Sequence, residues 1–240
     1  MAKDGTNRGG ARAGAGRKKK ALADYDKALQ LNPKSEYARK NRMRVQDGDK
    51  YKQLEALLER ANSFKSNKDY SHAIEEYMKA LALDPNNQEV LFSRGGSYLN
   101  VNKYEAAVAD YNKLLELNPN YDVAAYYNRG TAYRHLKNYE AALPDFNKYI
   151  QQKADDPDGY FYRAYCYNEL KNYEAAIKDY TKVIEFEPKN NGAYNNRGWS
   201  HECLGNFEKA LADYDKAIEI NPNYELAKKN RQRVIDKMKK

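Results

Sequence analysis

Cysteine is nearly absent from this chain, which has only Cys166 and Cys203 among its 240 residues. Two cysteines are too few for a disulfide scaffold, and they lack the paired short spacing of a zinc site. Long apolar runs are also missing. The mean hydropathy is −1.05, and residues 1–20 hold basic side chains but not the apolar stretch of a secretory signal. We therefore expect a protein without membrane spans in a reducing compartment, the cytoplasm.

Aliphatic residues are scarce as well. Leu, Ile, Val and Phe together number 39, about 16% of the chain, a fraction typical of disordered sequences. Tyrosine compensates for this scarcity, because the chain contains 23 Tyr and each ring can bury a large area. Whether the chain forms a core then depends on how regularly these rings are spaced.

Charge is distributed unevenly along the chain. The net charge is +8, but residues 1–20 carry +6, residues 21–46 carry +3 and residues 224–240 carry +5, whereas residues 47–223 carry −6. An acidic body repels phosphate, so any contact with nucleic acid would have to come from the termini. We do not expect nucleic acid to be the main partner.

Proline marks an internal repeat. Pro85 and Pro119 are 34 residues apart, as are Pro188 and Pro222, and the 69 residues from Pro119 to Pro188 hold two periods with Ala154 in place of one proline. This period defines five units, at 54–87, 88–121, 123–156, 157–190 and 191–224. Repeats of this length are typical of solenoids, in which each unit packs only on its neighbours.

Each unit repeats one order of side chains, which in the third unit is Tyr126, Arg129, Gly130, Tyr133, Tyr139, Ala142 and Phe146. The order resembles the tetratricopeptide repeat (TPR) family, whose pattern is an aromatic, Leu-Gly, Tyr, Ala-x3-aromatic and a closing Pro. The five units span about 70% of the chain. The resemblance implies an all-α fold, a right-handed superhelical solenoid of antiparallel helical hairpins.

The spacing of these residues supports two helices per unit independently of the resemblance. Tyr126, Gly130 and Tyr133 fall on one stripe of a first helix, and Ala142, Phe146 and Tyr149 fall on one stripe of a second. Small residues recur where the two helices would cross: Gly95, Gly130, Ala164 and Gly198 on the first, Ala73, Ala107, Ala142, Ala176 and Ala210 on the second. The pattern predicts closely packed hairpins.

Fifteen of the 23 tyrosines occupy four repeat phases, which we expect to be core. These are Tyr126, Tyr160 and Tyr194; Tyr98, Tyr133 and Tyr167; Tyr70, Tyr104, Tyr139 and Tyr173; and Tyr25, Tyr77, Tyr111, Tyr180 and Tyr214. None of them is a candidate binding residue.

An arginine occupies the phase where the family usually has Leu, in all five units: Arg60, Arg94, Arg129, Arg163 and Arg197. Sixteen residues later, every unit has an acid: Glu76, Asp110, Asp145, Asp179 and Asp213. We predict one ion pair between the two helices of each unit, and we call the five pairs together the arginine ladder. The alternative is a row of arginines that lines a groove for an acidic ligand.

The N-terminal segment does not fit the repeat. Residues 21–46 match residues 210–235 at 17 of 26 positions, and this later copy is the end of the fifth unit with its capping helix. We expect a disordered basic leader at 1–20, a half repeat plus cap-like helix at 21–46, a linker at 47–53, five repeats at 54–224 and a basic capping helix at 225–240. The early copy is either a truncated upstream array or a recruited cap, and deleting residues 1–46 is expected to cost little stability.

Catalytic and metal-binding patterns are not apparent. The three histidines, His72, His135 and His201, fall at different repeat phases, and no nucleophile, phosphate loop or ligand spacing accompanies them. We expect no enzyme activity, no catalytic residues, no metal and no cofactor.

A second stripe on each first helix is the candidate binding surface. It starts one residue after the first aromatic and recurs four residues later; in the TPR family this inner stripe binds extended peptides. The peptide-binding groove predicted here consists of Phe92, Tyr127, Asn128, Phe161, Tyr162, Tyr165, Asn195, Asn196 and Trp199. The Lys and Asn pair with which some family members hold a chaperone carboxylate is missing, so an aromatic and amide surface remains.

The leading functional hypothesis is therefore a noncatalytic protein-protein interaction scaffold that binds a peptide or helix of a partner in its concave groove. Two alternatives are a self-assembling structural solenoid, in which the helix at 21–31 docks on another copy, and nucleic-acid association through the basic N-terminal tail. A membrane is not an expected partner.

Overall fold

The computed structural model describes residues 8–239, with side chains described from residue 14 onwards. These residues form thirteen α-helices and no strand. The helices are α1 (Arg8–Leu31), α2 (Glu36–Gln46), α3 (Gly48–Ser66), α4 (Tyr70–Leu83), α5 (Gln88–Asn100), α6 (Tyr104–Leu117), α7 (Val123–His135), α8 (Tyr139–Gln152), α9 (Pro157–Glu169), α10 (Tyr173–Phe186), α11 (Asn191–Cys203), α12 (Phe207–Ile220) and α13 (Glu225–Met238). The predicted all-α fold is confirmed.

The chain divides into two compact units, at residues 1–121 and 122–240. In the first unit, α3 packs on α4 and α5 packs on α6, while α1 packs on α2. In the second unit, α7 with α8, α9 with α10, and α11 with α12 form three hairpins, and α13 covers α12. Each unit is thus a stack of neighbouring helical hairpins.

Local sequence sets where these helices begin and turn. The side chains of Asp122, Asp156 and Asn190 accept hydrogen bonds from the first turns of α7, α9 and α11, as N-cap residues do. The turn inside each hairpin uses one residue in the left-handed region: Lys68, Asn102, Lys137, Lys171 and Gly205, with φ from 58° to 76°. The same turn therefore recurs in the five hairpins from α3 to α12.

The arginine ladder is confirmed in all five hairpins. Arg60 Nε lies 2.8 Å from Glu76, and the other four arginines each donate two hydrogen bonds of 2.6–2.9 Å to their aspartates. Arg163 and Arg197 also donate to Asn147 and Thr181, on the second helix of the preceding hairpin. These arginines are occupied by internal partners, which argues against a row of arginines for an acidic ligand.

The expectation of a tyrosine core holds for one phase of the four. Tyr77, Tyr111, Tyr180 and Tyr214 are fully buried, together with Phe146 at the same phase. The tyrosines of the other three phases, and Tyr25, are only half-buried. Several of them cover arginines instead: Arg129, Arg163 and Arg197 lie over the rings of Tyr126, Tyr160 and Tyr194 at 5.5–5.7 Å. At this phase the ring borders the ladder, and partly buried tyrosines of all three phases also pack against buried apolar clusters: Tyr133, Tyr139, Tyr160 and Tyr167.

Two predictions about the N-terminal segment were wrong. Residues 8–20, expected to be disordered, belong to α1, and residues 1–7 lie outside the described residues. Ala, Arg and Lys alternate with the glycines here and favour helix, and no proline interrupts the continuation from residue 21. Residues 48–53, expected to be a linker, form the first turns of α3, whose N-cap Asp47 accepts a hydrogen bond from Lys50.

The two similar 26-residue segments fold in the same local way but differ in burial. In the later copy, Arg231 pairs with Asp215, and in the early copy Arg42 pairs with Asp26 at 2.5 Å. Tyr214, Ala217 and Val234 of the later copy are fully buried. Their early counterparts, Tyr25, Ala28 and Val45, are half-buried, because within residues 8–239 no first helix equivalent to α11 covers them.

Candidate functional site

Eight of the nine predicted groove residues lie in the second unit, on the successive first helices α7, α9 and α11. Asn195 is buried, and the other seven are half-buried. Phe92 lies in the first unit, on α5, where its ring is in edge contact with Tyr111 and in tilted contact with Tyr121. The candidate site is therefore described within the second unit alone.

A pocket of about 220 Å³ lies between α9, α11 and α13. We call it the amide pocket, because four asparagines line it together with the aromatic rings. Its lining is Tyr165, Asn168, Glu169, Tyr180, Asn195, Asn196, Trp199, Leu226 and Asn230. The structure thus brings together four predicted residues: Tyr165, Asn195, Asn196 and Trp199.

Hydrogen bonds fix the amides of this pocket in one orientation. Asn230 donates to Asn195 at 2.9 Å, and Asn195 donates to Asn196 at 3.1 Å. Arg233 donates to the Asn230 oxygen at 2.9 Å from the far side. Ser200 donates to Asn168 at 2.6 Å. A polar surface held in this way loses little entropy when a ligand binds, which is the advantage of preorganisation.

The Tyr180 hydroxyl is the most unusual group in the pocket. The side chain is fully buried, yet its oxygen makes no hydrogen bond of ordinary geometry. Burial raises the pKa of Tyr180 far above its usual value, and the neighbouring amides of Asn196 and Asn168 lower it by less. The hydroxyl therefore remains a protonated donor at the base of the pocket.

Tyr127 and Phe161, also predicted to contact ligand, are engaged with neighbouring rings. Tyr127 lies 4.8 Å from Tyr149 and 5.9 Å from Tyr162, between ring centroids. Phe161 lies 5.6 Å from both Tyr162 and Tyr180 in edge-on contacts. Asn128 is half-buried on α7. These residues support the wall of the site, whereas Tyr165 and Trp199 border the pocket itself.

Asn168, Tyr180 and Asn230 belong to the pocket but were not among the predicted site residues. Asn230 lies on α13, outside the five repeats, so no repeat phase pointed to it. Tyr180 shares its phase with three core tyrosines, and its missing hydrogen bond has no sequence signal. Asn168 could have been found, since its phase holds Arg134 and Glu202 in the adjacent units and is thus polar and variable.

The described residues hold no group of three or more His, Cys, Asp or Glu side chains that could bind a metal ion. Cys166 is buried, and burial raises its thiol pKa to about 12, so it is a poor nucleophile at neutral pH. Cys203 is exposed, and partial desolvation of its thiol by neighbouring groups raises its pKa. Among the helices described here, none is both long enough and apolar enough to cross a bilayer.

Comparison with known proteins identifies the repeat. Models of the tetratricopeptide repeat match residues 6–35, 96–164, 157–190 and 192–224, and a TPR repeat model matches residues 61–102. No curated protein matches the sequence.

Solved structures match over most of the chain. The MamA protein is 25% identical, with a TM-score of 0.67 over 71% of this chain and 92% of its own. YrrB, described as a TPR protein with an unusual peptide-binding site, is 24% identical, with a TM-score of 0.69 over 87% and 97%. MamA 41-end from Desulfovibrio magneticus RS-1 is 19% identical, with a TM-score of 0.68 over 72% and 97%.

Proposed function

Because the chain belongs to the tetratricopeptide repeat family, we propose that it is a noncatalytic interaction scaffold that binds a peptide or helix of a partner protein on the inner stripe of its second unit. One observation carries this proposal: the amide pocket combines oriented amides with two partly exposed rings in a single concavity. The two cysteines of the chain, Cys166 and Cys203, form no disulfide, which suits the cytoplasmic location that the sequence favours.

The chemistry of the pocket fits an extended peptide. Asparagine side chains can donate to and accept from a peptide backbone, and the Tyr180 hydroxyl offers a further donor. Trp199 lies edge-on to Tyr173 at 5.7 Å, which fixes its indole beside the pocket. Large rings held in this manner are frequent interface anchors, because they bury much area at little cost in side-chain entropy.

The experiment is a selection of binders from a random peptide library on the immobilised full chain, followed by affinity measurements on selected peptides. Trp199→Ala and Tyr165→Ala are expected to weaken binding about 30-fold or more, which corresponds to about 2 kcal/mol per anchor. The matched control is Tyr37→Ala, which removes an exposed ring from the first unit and is expected to change nothing.

Thermal unfolding of the same variants separates binding from stability. Both pocket variants are expected to keep the helicity and melting temperature of the wild type. If they unfold, the two rings are core and the assignment of the face is wrong. If they bind selected peptides normally, the ligand uses another surface.

Self-association is a second candidate function, favoured by the half-buried face of α1 and α2. Tyr25, Ala28 and Val45 carry the same side chains as a fully covered site on α12 and α13. A second copy of the chain could supply the missing cover. Sedimentation of the full chain and of Ala28→Glu tests this: a dimer that the substitution dissociates supports self-association, and a monomer in both refutes it.

A further inference from the structure

Arg134 is the one arginine on the first helices of the second unit that has no acidic partner among the described residues. It lies in the last turn of α7, whereas Arg129, Arg163 and Arg197 belong to the ladder. Its guanidinium lies over two rings of α9, 4.8 Å from the centroid of Tyr162 and 5.5 Å from that of Tyr165. The group is thus held in place by aromatic faces without being neutralised.

The hydrogen bonds of Arg134 are incomplete. One terminal nitrogen lies 2.8 Å from Nε2 of His135, but Arg134 Nε is buried and has no partner. Burial and the neighbouring Arg134 charge lower the pKa of His135, so the imidazole is neutral at pH 7 and accepts this bond. A donor on a charged group is costly to leave unpaired, and this guanidinium keeps hydrogen-bonding capacity that no described side chain uses.

The surroundings of Arg134 contain a second unsatisfied group. Thr131, one turn earlier on α7 and on the predicted inner stripe, has a buried hydroxyl without a hydrogen-bond partner. Glu169 is the acid that lines the amide pocket. It lies beside Tyr139, whose pKa is raised to about 12 by burial and by the Glu169 charge. Glu169 forms no ion pair with Arg134, so the positive charge of Arg134 is available to a ligand.

Tyr165 connects Arg134 to the amide pocket. The Tyr165 ring contacts the Arg134 guanidinium. It also lines the amide pocket, together with Tyr180, Asn196 and Trp199. A peptide that occupies the pocket and continues along the stripe from α9 to α7 therefore passes the guanidinium. Guanidinium groups bind carboxylates through two parallel hydrogen bonds, and a group already oriented by stacking loses less entropy in doing so.

We propose that the partner segment carries an Asp or Glu whose carboxylate pairs with Arg134 between the rings of Tyr162 and Tyr165. This inference rests on the proposed function of the second unit and adds the chemistry of its ligand: an acidic peptide, with the acid at a fixed distance from the residue that enters the amide pocket. The residue type at the Arg134 phase differs in each of the five repeats, being Lys65, Leu99, Arg134, Asn168 and Glu202, so no packing contact common to the repeats requires an arginine there.

The test repeats the peptide selection on four forms of the full chain: the wild type, Arg134→Gln, Arg134→Glu and the control Lys137→Gln. Lys137 is an exposed cation three residues from Arg134, so its substitution changes the net charge equally without touching the rings. Peptides selected by the wild type and by the control are expected to carry an acid at one position. Arg134→Gln should lose this preference, and Arg134→Glu should replace it with Lys or Arg.

A cycle of substitutions makes the test quantitative. Changing the acid of a selected peptide to its amide should weaken binding to the wild type about tenfold or more and leave binding to Arg134→Gln unchanged. If Arg134→Gln proves unfolded, Arg134→Lys keeps the charge but not the paired hydrogen bonds, and a weakened acid preference is expected.

The outcomes distinguish the two proposals. Selected peptides that depend on Trp199 but show no acid preference, or keep it with Arg134→Gln, overturn the role of Arg134 and leave the groove standing. A selection that yields no peptide dependent on Trp199 overturns both.

Discussion

Glu202 holds the last hairpin to α13, and its protonation should release that helix. The carboxylate accepts hydrogen bonds from Arg233 at 2.8 and 2.7 Å, from Lys237 at 2.9 Å and from Tyr214 at 2.9 Å. Burial alone would raise the pKa of Glu202, but these three donors outweigh it and lower the pKa to about 2. In the unfolded chain the same group titrates near its ordinary value of 4.5.

The magnitude follows from this difference. A carboxyl whose folded pKa is depressed stabilises the fold above its unfolded pKa, and it loses that contribution as the pH falls through its folded pKa. Each pKa unit is worth about 1.4 kcal/mol, so the charged form of Glu202 contributes about 3 kcal/mol at pH 7 and about 1.4 kcal/mol at pH 3. The substitution Glu202→Gln removes the charge and retains the shape.

Native-state hydrogen exchange is the appropriate assay, because it reports the opening of α13 separately from the rest of the unit. At pH 7, Glu202→Gln should lower the protection of α13 amides about 150-fold, and the difference from the wild type should shrink to about tenfold at pH 3. Glu219→Gln, an exposed acid on α12, is the control and should change little. An equal difference at both pH values would refute the reasoning, since it would show that the Glu202 charge is not what holds α13.

Two further predictions concern stability. Arg129→Met leaves the buried Asp145 carboxylate without its ion-pair partner and should lower the free energy of unfolding in urea by about 3 kcal/mol. The double variant Arg129→Met with Asp145→Leu should recover most of this loss. Equal losses in both variants would show that the cost does not come from the uncompensated charge of Asp145. Deleting residues 1–31 should cost little stability, but deleting residues 1–46 should clearly lower the melting temperature. The reason is that α2 buries Ala38 and pairs Arg39 with Asp84 at 3.0 Å, and the Lys34 carbonyl in the turn before α2 accepts a hydrogen bond from Gln88. Equal losses from the two deletions would contradict a stabilising role for residues 32–46.

The second of these replaces an expectation drawn from sequence alone, that residues 1–46 contribute little. Repeat phase could not reveal the contacts of residues 34–39, since their partners, Asp84 after α4 and Gln88 at the start of α5, are not residue types that recur at those phases. Phase did predict the arginine ladder, because the arginine and the acid recur sixteen residues apart in every unit. Since the hairpins share one geometry, a pair that meets in one hairpin meets in all five.

The candidate site was predictable in part for a similar reason. Tyr165, Asn195, Asn196 and Trp199 follow from helix geometry once the core stripe is known, and the amide pocket contains all four. Arg134 was not predicted, because it occurs once at its phase and its significance depends on the lack of an ion pair with any described acid. Such an absence is a property of the packed structure and has no counterpart in a repeat pattern.

The ladder arginines also couple the unfolding of neighbouring hairpins in the second unit. Arg163 and Arg197 each hold an acid in their own hairpin and, with a third nitrogen, a side chain of the hairpin before. Opening one hairpin therefore breaks hydrogen bonds of its neighbour as well, which strengthens the interface term relative to the intrinsic stability of a single repeat. We therefore expect the three hairpins from α7 to α12 to unfold as one cooperative block, with a single large barrier to mechanical unfolding instead of three small ones.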